Sequence, residues 1–147
     1  MFKRIAIIFL ALSAVWITWR IFMPPKVIRV DGRAVYVENF PLMTKEKIEW
    51  WKDNKYLLQK KYGLIENPEN FIVIIMRFNG YKSLPAGTRS GNVDDYRCFD
   101  DIKDRNNCIY NDMAMIVSGD INKKIFYRLD NKLYSETPDG ALTLLRE

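Results

Sequence analysis

The chain has 147 residues, 48% of them hydrophobic, with 23 lysines and arginines against 18 aspartates and glutamates, two cysteines and no histidine. That hydrophobic share excludes intrinsic disorder, and the length allows one ordinary domain beside a targeting segment. The missing histidine removes Ser-His-Asp triads, Cys-His pairs and histidine metal sites, and two cysteines alone do not complete a zinc site.

The first two dozen residues are the most informative. Lys3 and Arg4 precede an apolar run from Ile5 to Trp19, broken only by Ser13 and Thr18; Arg20, Ile21, Phe22 and Met23 follow, then Pro24 and Pro25. A helix from Ile5 to Met23 would be roughly 28 Å long, close to the hydrocarbon thickness of a bilayer. This predicts a single N-terminal membrane span, with Arg20 snorkelling to the interface and the prolines ending the helix. A cleaved signal peptide would use Ala11-Leu12-Ser13, but bulky Val15, Trp16, Ile17 and Trp19 beyond that point favour an uncleaved anchor. Basic residues flank the run on both sides, so they do not orient it. The cysteines do: Cys98 and Cys108 are an even pair at short spacing, which predicts a disulfide and hence an outward-facing domain. The division is residues 1–25 as anchor and 26–147 as an extracytoplasmic domain. Setting aside Lys3, Arg4 and Arg20 leaves 20 basic residues against all 18 acidic ones. This is ordinary solubility charge and no nucleic-acid footprint.

After the prolines, Val27–Val30 and Ala34–Val37 flank Asp31-Gly32, a hairpin signal. Thr44 is a helix N-cap candidate and Gly63 a C-terminal cap for a helix ending near Tyr62. Lys47 occupies the position where a capping box would place Glu or Gln. Ile48, Trp51, Leu58 and Tyr62 recur at helical spacing and form the predicted core face, with Lys45, Lys52, Asn54 and Lys60 solvated. Phe71 to Phe78 is almost wholly apolar and reads as a central strand covered on both faces, one of them by the helix. Residues 81–95 lack periodicity; Gly87, Ser90 and Gly91 predict a mobile surface loop. The segment around Cys98 to Cys108 reads as looped or briefly helical. Strands follow at Met113–Ser118, Lys124–Leu129, Leu133–Ser135 and Ala141–Leu145, with turns at Gly119-Asp120, Asn131-Lys132 and Pro138-Asp139-Gly140. The predicted class is α+β: an N-terminal transmembrane helix, then one small domain with an antiparallel meander and one main packed helix.

Several blocks carry a family resemblance: Asn39-Phe40-Pro41, Ile48-Glu49-Trp50-Trp51, Lys61-Tyr62, Gly80-Tyr81, Cys98-Phe99-Asp100-Asp101 and Asn107-Cys108-Ile109. With the N-terminal apolar segment, the chain resembles an enterobacterial family of inner-membrane proteins of unknown function, domain of unknown function 943. The resemblance implies location and overall form, and brings no activity and no catalytic residue.

No phosphate-cradling glycine motif and no nucleophile elbow is present, so no cofactor, small-molecule substrate or enzymatic activity is expected. Asp94, Asp95, Asp100, Asp101 and Asp104 are the densest group of function-like side chains. They lack EF-hand spacing and read either as solvated loop charge or as a surface for a basic protein partner. Trp50 points about 100° from Trp51 on the helix, and is either core or an interface anchor. Three functions remain: a membrane-anchored periplasmic binding module, such as an immunity protein against a periplasm-acting toxin; an accessory subunit of an inner-membrane complex; and a histidine-free enzyme using the loop aspartates.

Overall fold

The computed structural model describes the chain except Met1, Phe22 and Gly87 to Ser90; the side chains of residues 2–4, 20 and 21 are likewise outside the described set. The expectations for a snorkelling Arg20 and for mobility at Gly87 and Ser90 therefore lie outside the described residues.

Helix α1 runs Phe2–Ile21. Its described side chains are exposed along the whole length, from Ile5 at 49% to Trp19 at 67%. The expected transmembrane helix is corrected here: among the described residues no helix is long and apolar enough to cross a membrane. The described apolar stretch is short. The uncharged run stops at residues 5–19, before Arg20. At 1.5 Å per residue it spans about 22 Å, short of the ~30 Å hydrocarbon core. Bilayer thickness is reached only by counting on through Arg20 to Met23.

Sheet dominates the rest. Strands β1 (Lys26–Asp31), β2 (Ala34–Glu38) and β3 (Phe71–Arg77) are followed by β4 (Tyr96–Cys98) and β5 (Cys108–Tyr110). Then come β6 (Met113–Gly119), β7 (Ile125–Leu129), β8 (Lys132–Glu136) and β9 (Leu142–Arg146); helix α2 (Thr44–Tyr62) lies between β2 and β3. Seven strands form one sheet in the order β1-β2-β3-β6-β7-β8-β9, and β4 pairs with β5 separately. The expected α+β class thus gives way to a mostly-β chain, in which the expected antiparallel meander is present as β6–β9 within a mixed sheet. Strands β2 and β3 are parallel, with Ala34 opposite Ile74 and Val37 opposite Arg77. A parallel neighbour needs a long return path, and the 19 residues of α2 provide it.

The hairpin β1–β2 forms as the Asp-Gly signal predicts. Helix α2 keeps its predicted bounds, but its N-cap is Met43, which makes no side-chain cap bond; Thr44 is already helical. At the other end Gly63 takes φ 62°, and its N–H donates to the Gln59 carbonyl. A left-handed residue is needed there, and glycine adopts it without steric cost. The β7–β8 turn falls on Asp130 and Asn131, one residue earlier than the expected Asn131-Lys132, with φ 49° and 64°. Two consecutive positive φ values suit a two-residue hairpin, and Asp and Asn tolerate them best.

One face of the sheet is covered by α2. Ile48, Trp50, Trp51 and Leu58 pack with Val35, Val37, Val73, Ile75, Val117 and Tyr127 in the main core. The second face of β2 and β3 carries a smaller core of Tyr36, Met76, Phe99 and Ile109. Strand β3 is therefore covered on both faces near the β2 side, as its apolar run predicts. Both outer strands are irregular: the β1 register skips Ile28, and the β9 register skips Leu145. Each is a bulge, one extra residue that bends the strand.

Candidate functional site

The second small core belongs to a lobe that leaves the sheet after β3 and returns at β6. Arg77 closes its neck: its N–H donates to the Asp112 carbonyl at 2.7 Å, and its guanidinium Nη1 to the Asp112 carboxylate at 2.9 Å. Inside the lobe, Cys98 and Cys108 lie directly opposite each other in the β4–β5 ladder and are joined by a disulfide. The expected pairing is borne out, but in a hairpin and not in a loop or helix. Lys82 adds a short third strip by exchanging backbone hydrogen bonds with Cys108 at 2.7 and 2.9 Å.

The lobe is fixed to the sheet by Phe99. Its ring is 4% exposed and meets Tyr36 edge-on at 5.7 Å. Arg29 on β1 lies over the same ring, with its guanidinium carbon 3.9 Å from the centroid. Its two terminal nitrogens donate to both oxygens of Asp101, at 2.9 and 2.6 Å. A forked pair stacked on an aromatic ring uses the planar guanidinium in the two ways that lysine cannot reproduce. Hydrogen bonding to Arg29 holds the Asp101 carboxyl below the usual aspartate range, and the same contact raises Arg29 further. Arg97 and Asp31 add a second link at 3.1 Å. Burial, with Asp31 nearby, pushes the Tyr36 phenol up.

The five aspartates do not form one cluster. Asp94 and Asp95 sit in a short 3-10 turn (Val93–Asp95) at one end of the hairpin. Asp100 and Asp104 lie in the connection at the other end, separated by the three residues of β4, roughly 10 Å. Asp101 is committed to Arg29. The Asp104 carboxylate accepts the Asn106 N–H at 2.7 Å, and the Asp100 carbonyl accepts from Lys103 at 3.0 Å. Among the described residues no three acidic or cysteine side chains converge in a way that would hold a metal ion.

Trp50 is on the opposite face of the sheet, 8% exposed and edge-on to Phe40 at 5.2 Å. It is core and is not presented beside the aspartates. What the lobe does present is aromatic: Tyr110, 43% exposed, meets Tyr96 edge-on at 5.4 Å, next to Asp94 and Asp95. Asn111 ties that end together, its N–H donating to the Asp95 carbonyl at 2.8 Å. The apolar–polar–apolar order of Tyr96-Arg97-Cys98 and the apolar run Cys108-Ile109-Tyr110 were the available signal for this hairpin.

No curated protein and no solved structure matches the chain. A family model matches residues 2–146, nearly the whole length, and on that match the chain belongs to the enterobacterial putative membrane protein family (DUF943), whose function is unknown.

Proposed function

We propose that this chain is a membrane-associated protein-binding module working on the periplasmic side of the inner membrane, with the disulfide lobe as its contact surface. The observation that carries the reading is the Tyr96–Tyr110 pair beside Asp94 and Asp95 on a lobe that is stapled before any partner arrives. Exposed aromatics held in one orientation lose little entropy on binding, and a carboxylate rim selects a basic partner and speeds encounter. The disulfide supports an oxidising compartment, and the family supports a membrane setting.

Two finer readings follow from what the partner is. A secreted toxin would make the chain its immunity protein; a resident subunit would make it an accessory of an inner-membrane assembly. Photocrosslinking in cells separates them. A benzophenone amino acid at Tyr110 gives a discrete adduct whose mass identity decides between toxin and resident subunit, and the adduct is lost in Asp94→Lys/Asp95→Lys. The same group at Tyr56, 72% exposed on α2, serves as the control. Adducts at Tyr56 and none at Tyr110 would move the interface off the lobe.

A further inference from the structure

On the α2 side of the sheet, away from the lobe, a cleft of about 570 Å³ opens between the helix, the loop after it and the β6–β7 turn. This is within the range of roughly 300–1,000 Å³ used for small-molecule sites. Its floor is aromatic: Trp51 and Phe71 stack with centroids 6.3 Å apart. Ile65 and Ile125 form the apolar walls, and Lys55 and Lys123 stand at the mouth. Neither lysine has an ion-pair partner among the described residues. Among the described residues lining the cleft Glu69 is the one acidic side chain against Lys55 and Lys123, so the mouth carries net positive charge.

The walls are constructed and not incidental. The Gln59 side chain clamps Ile65 from both sides, accepting its N–H at 2.6 Å and donating to its carbonyl at 3.0 Å. Phe71 lies against Gly119 so closely that a Cβ there would overlap the ring and come within 2.9 Å of the Pro68 carbonyl. Lys123 is held at φ 58°, a backbone region that costs a lysine energy. The turn around it is fixed by Asp120, whose carboxylate accepts the N–H groups of Asn122 and Lys124, each at 2.9 Å. These hydrogen bonds offset the strain and keep Lys123 at the rim.

We propose that this cleft binds a small amphiphilic anion, an apolar body held between Ile65 and Ile125 over the buried Trp51–Phe71 pair, with a carboxylate outward between Lys55 and Lys123. The charge at the mouth selects an anion, and the apolar walls and floor select an apolar body.

The test uses the full chain in phosphatidylcholine nanodiscs, labelled with 5-fluorotryptophan. Its four tryptophans give four fluorine resonances, two of them from Trp16 and Trp19 on α1. Titration with 2-naphthoate shifts the Trp51 resonance saturably and leaves Trp16 and Trp19 in place. Uncharged 2-naphthamide binds more weakly, and Lys55→Gln and Lys123→Gln each weaken naphthoate binding about two- to five-fold, as expected for exposed ion pairs. These exposed substitutions leave the apo spectrum unchanged, so a loss of binding is not a loss of fold. The proposal is overturned if Trp51 does not respond at millimolar naphthoate, if Trp16 and Trp19 shift equally, or if naphthamide binds as well as naphthoate.

Discussion

Lys47 is 1% exposed, and its ammonium bonds Asp130 at 2.7 Å across the gap between α2 and the β7–β8 turn. Asp130→Asn tests what that contact is worth, because asparagine keeps the shape and tolerates the positive φ of this position. At an effective dielectric near 20 the bare attraction at this distance is about 6 kcal/mol. Removing one partner of a buried pair costs ~3–5 kcal/mol, because the other charge stays desolvated. Asp130 is 51% exposed, so water screens the pair from one side. The expected loss is therefore nearer ~2 kcal/mol, or a fall in melting temperature of about 6–10 °C for a domain of this size. Lys47→Met removes the buried charge and is expected to be neutral or stabilising. In Lys47→Met/Asp130→Asn the second change should then cost almost nothing. Thermal unfolding of the four proteins by near-ultraviolet circular dichroism gives the cycle. If Asp130→Asn is neutral, or costs as much in the Lys47→Met background as in the wild type, the carboxylate is not what makes the buried ammonium tolerable.

Cys98→Ser should lower stability by roughly 2–3 kcal/mol for a loop of this length, and non-reducing peptide mapping should show the two cysteine peptides joined. Because Arg29 depresses the Asp101 carboxyl, the contribution of the pair is present above the unfolded value near 3.8 and is lost as pH falls through the lower folded value. Protection of lobe amides, taken relative to their intrinsic exchange rate at each pH, should fall in that acid window, and Asp101→Asn should remove that fall; unchanged protection would remove the pair from the docking of the lobe. Gly119→Ala should cost about 1–3 kcal/mol by displacing Phe71, and Gly119→Ala/Phe71→Leu should recover part of it in urea unfolding. Equal stability of Gly119→Ala and wild type would show that the ring moves without cost.

Local patterns specified most single elements. The apolar spacing of Ile48, Trp51 and Leu58, with Gly63 at the end, gave α2 its bounds, because helical period and a left-handed cap are both local signals. The run from Phe71 gave β3 and its two covered faces. Pairing partners were less legible. Two strands flanking a 19-residue helix signal a parallel unit, yet the Asp-Gly hairpin before them and the turns after them all read antiparallel. The burial of Lys47 has no local signal, since only the β7–β8 turn, 83 residues on, makes it tolerable. The aspartates look like one patch because they are neighbours in sequence. A three-residue strand separates them in space, and Arg29, 72 residues away, takes one of them out. The N-terminal run illustrates a different failure: a length counted through Arg20 to Met23 exceeds the uncharged stretch from Ile5 to Trp19.

The bulges at Ile28 and Leu145 have a consequence for crowding. Proteins confined to a membrane surface meet each other far more often than at the same copy number in solution. An open sheet with two free margins is then a seed from which chains can add end to end. Here each margin carries an extra residue that throws the next strand out of register, so a docked copy finds no continuous row of donors and acceptors to copy. The seven-stranded sheet thus ends at two interrupted margins, which disfavours edge-to-edge addition of further copies.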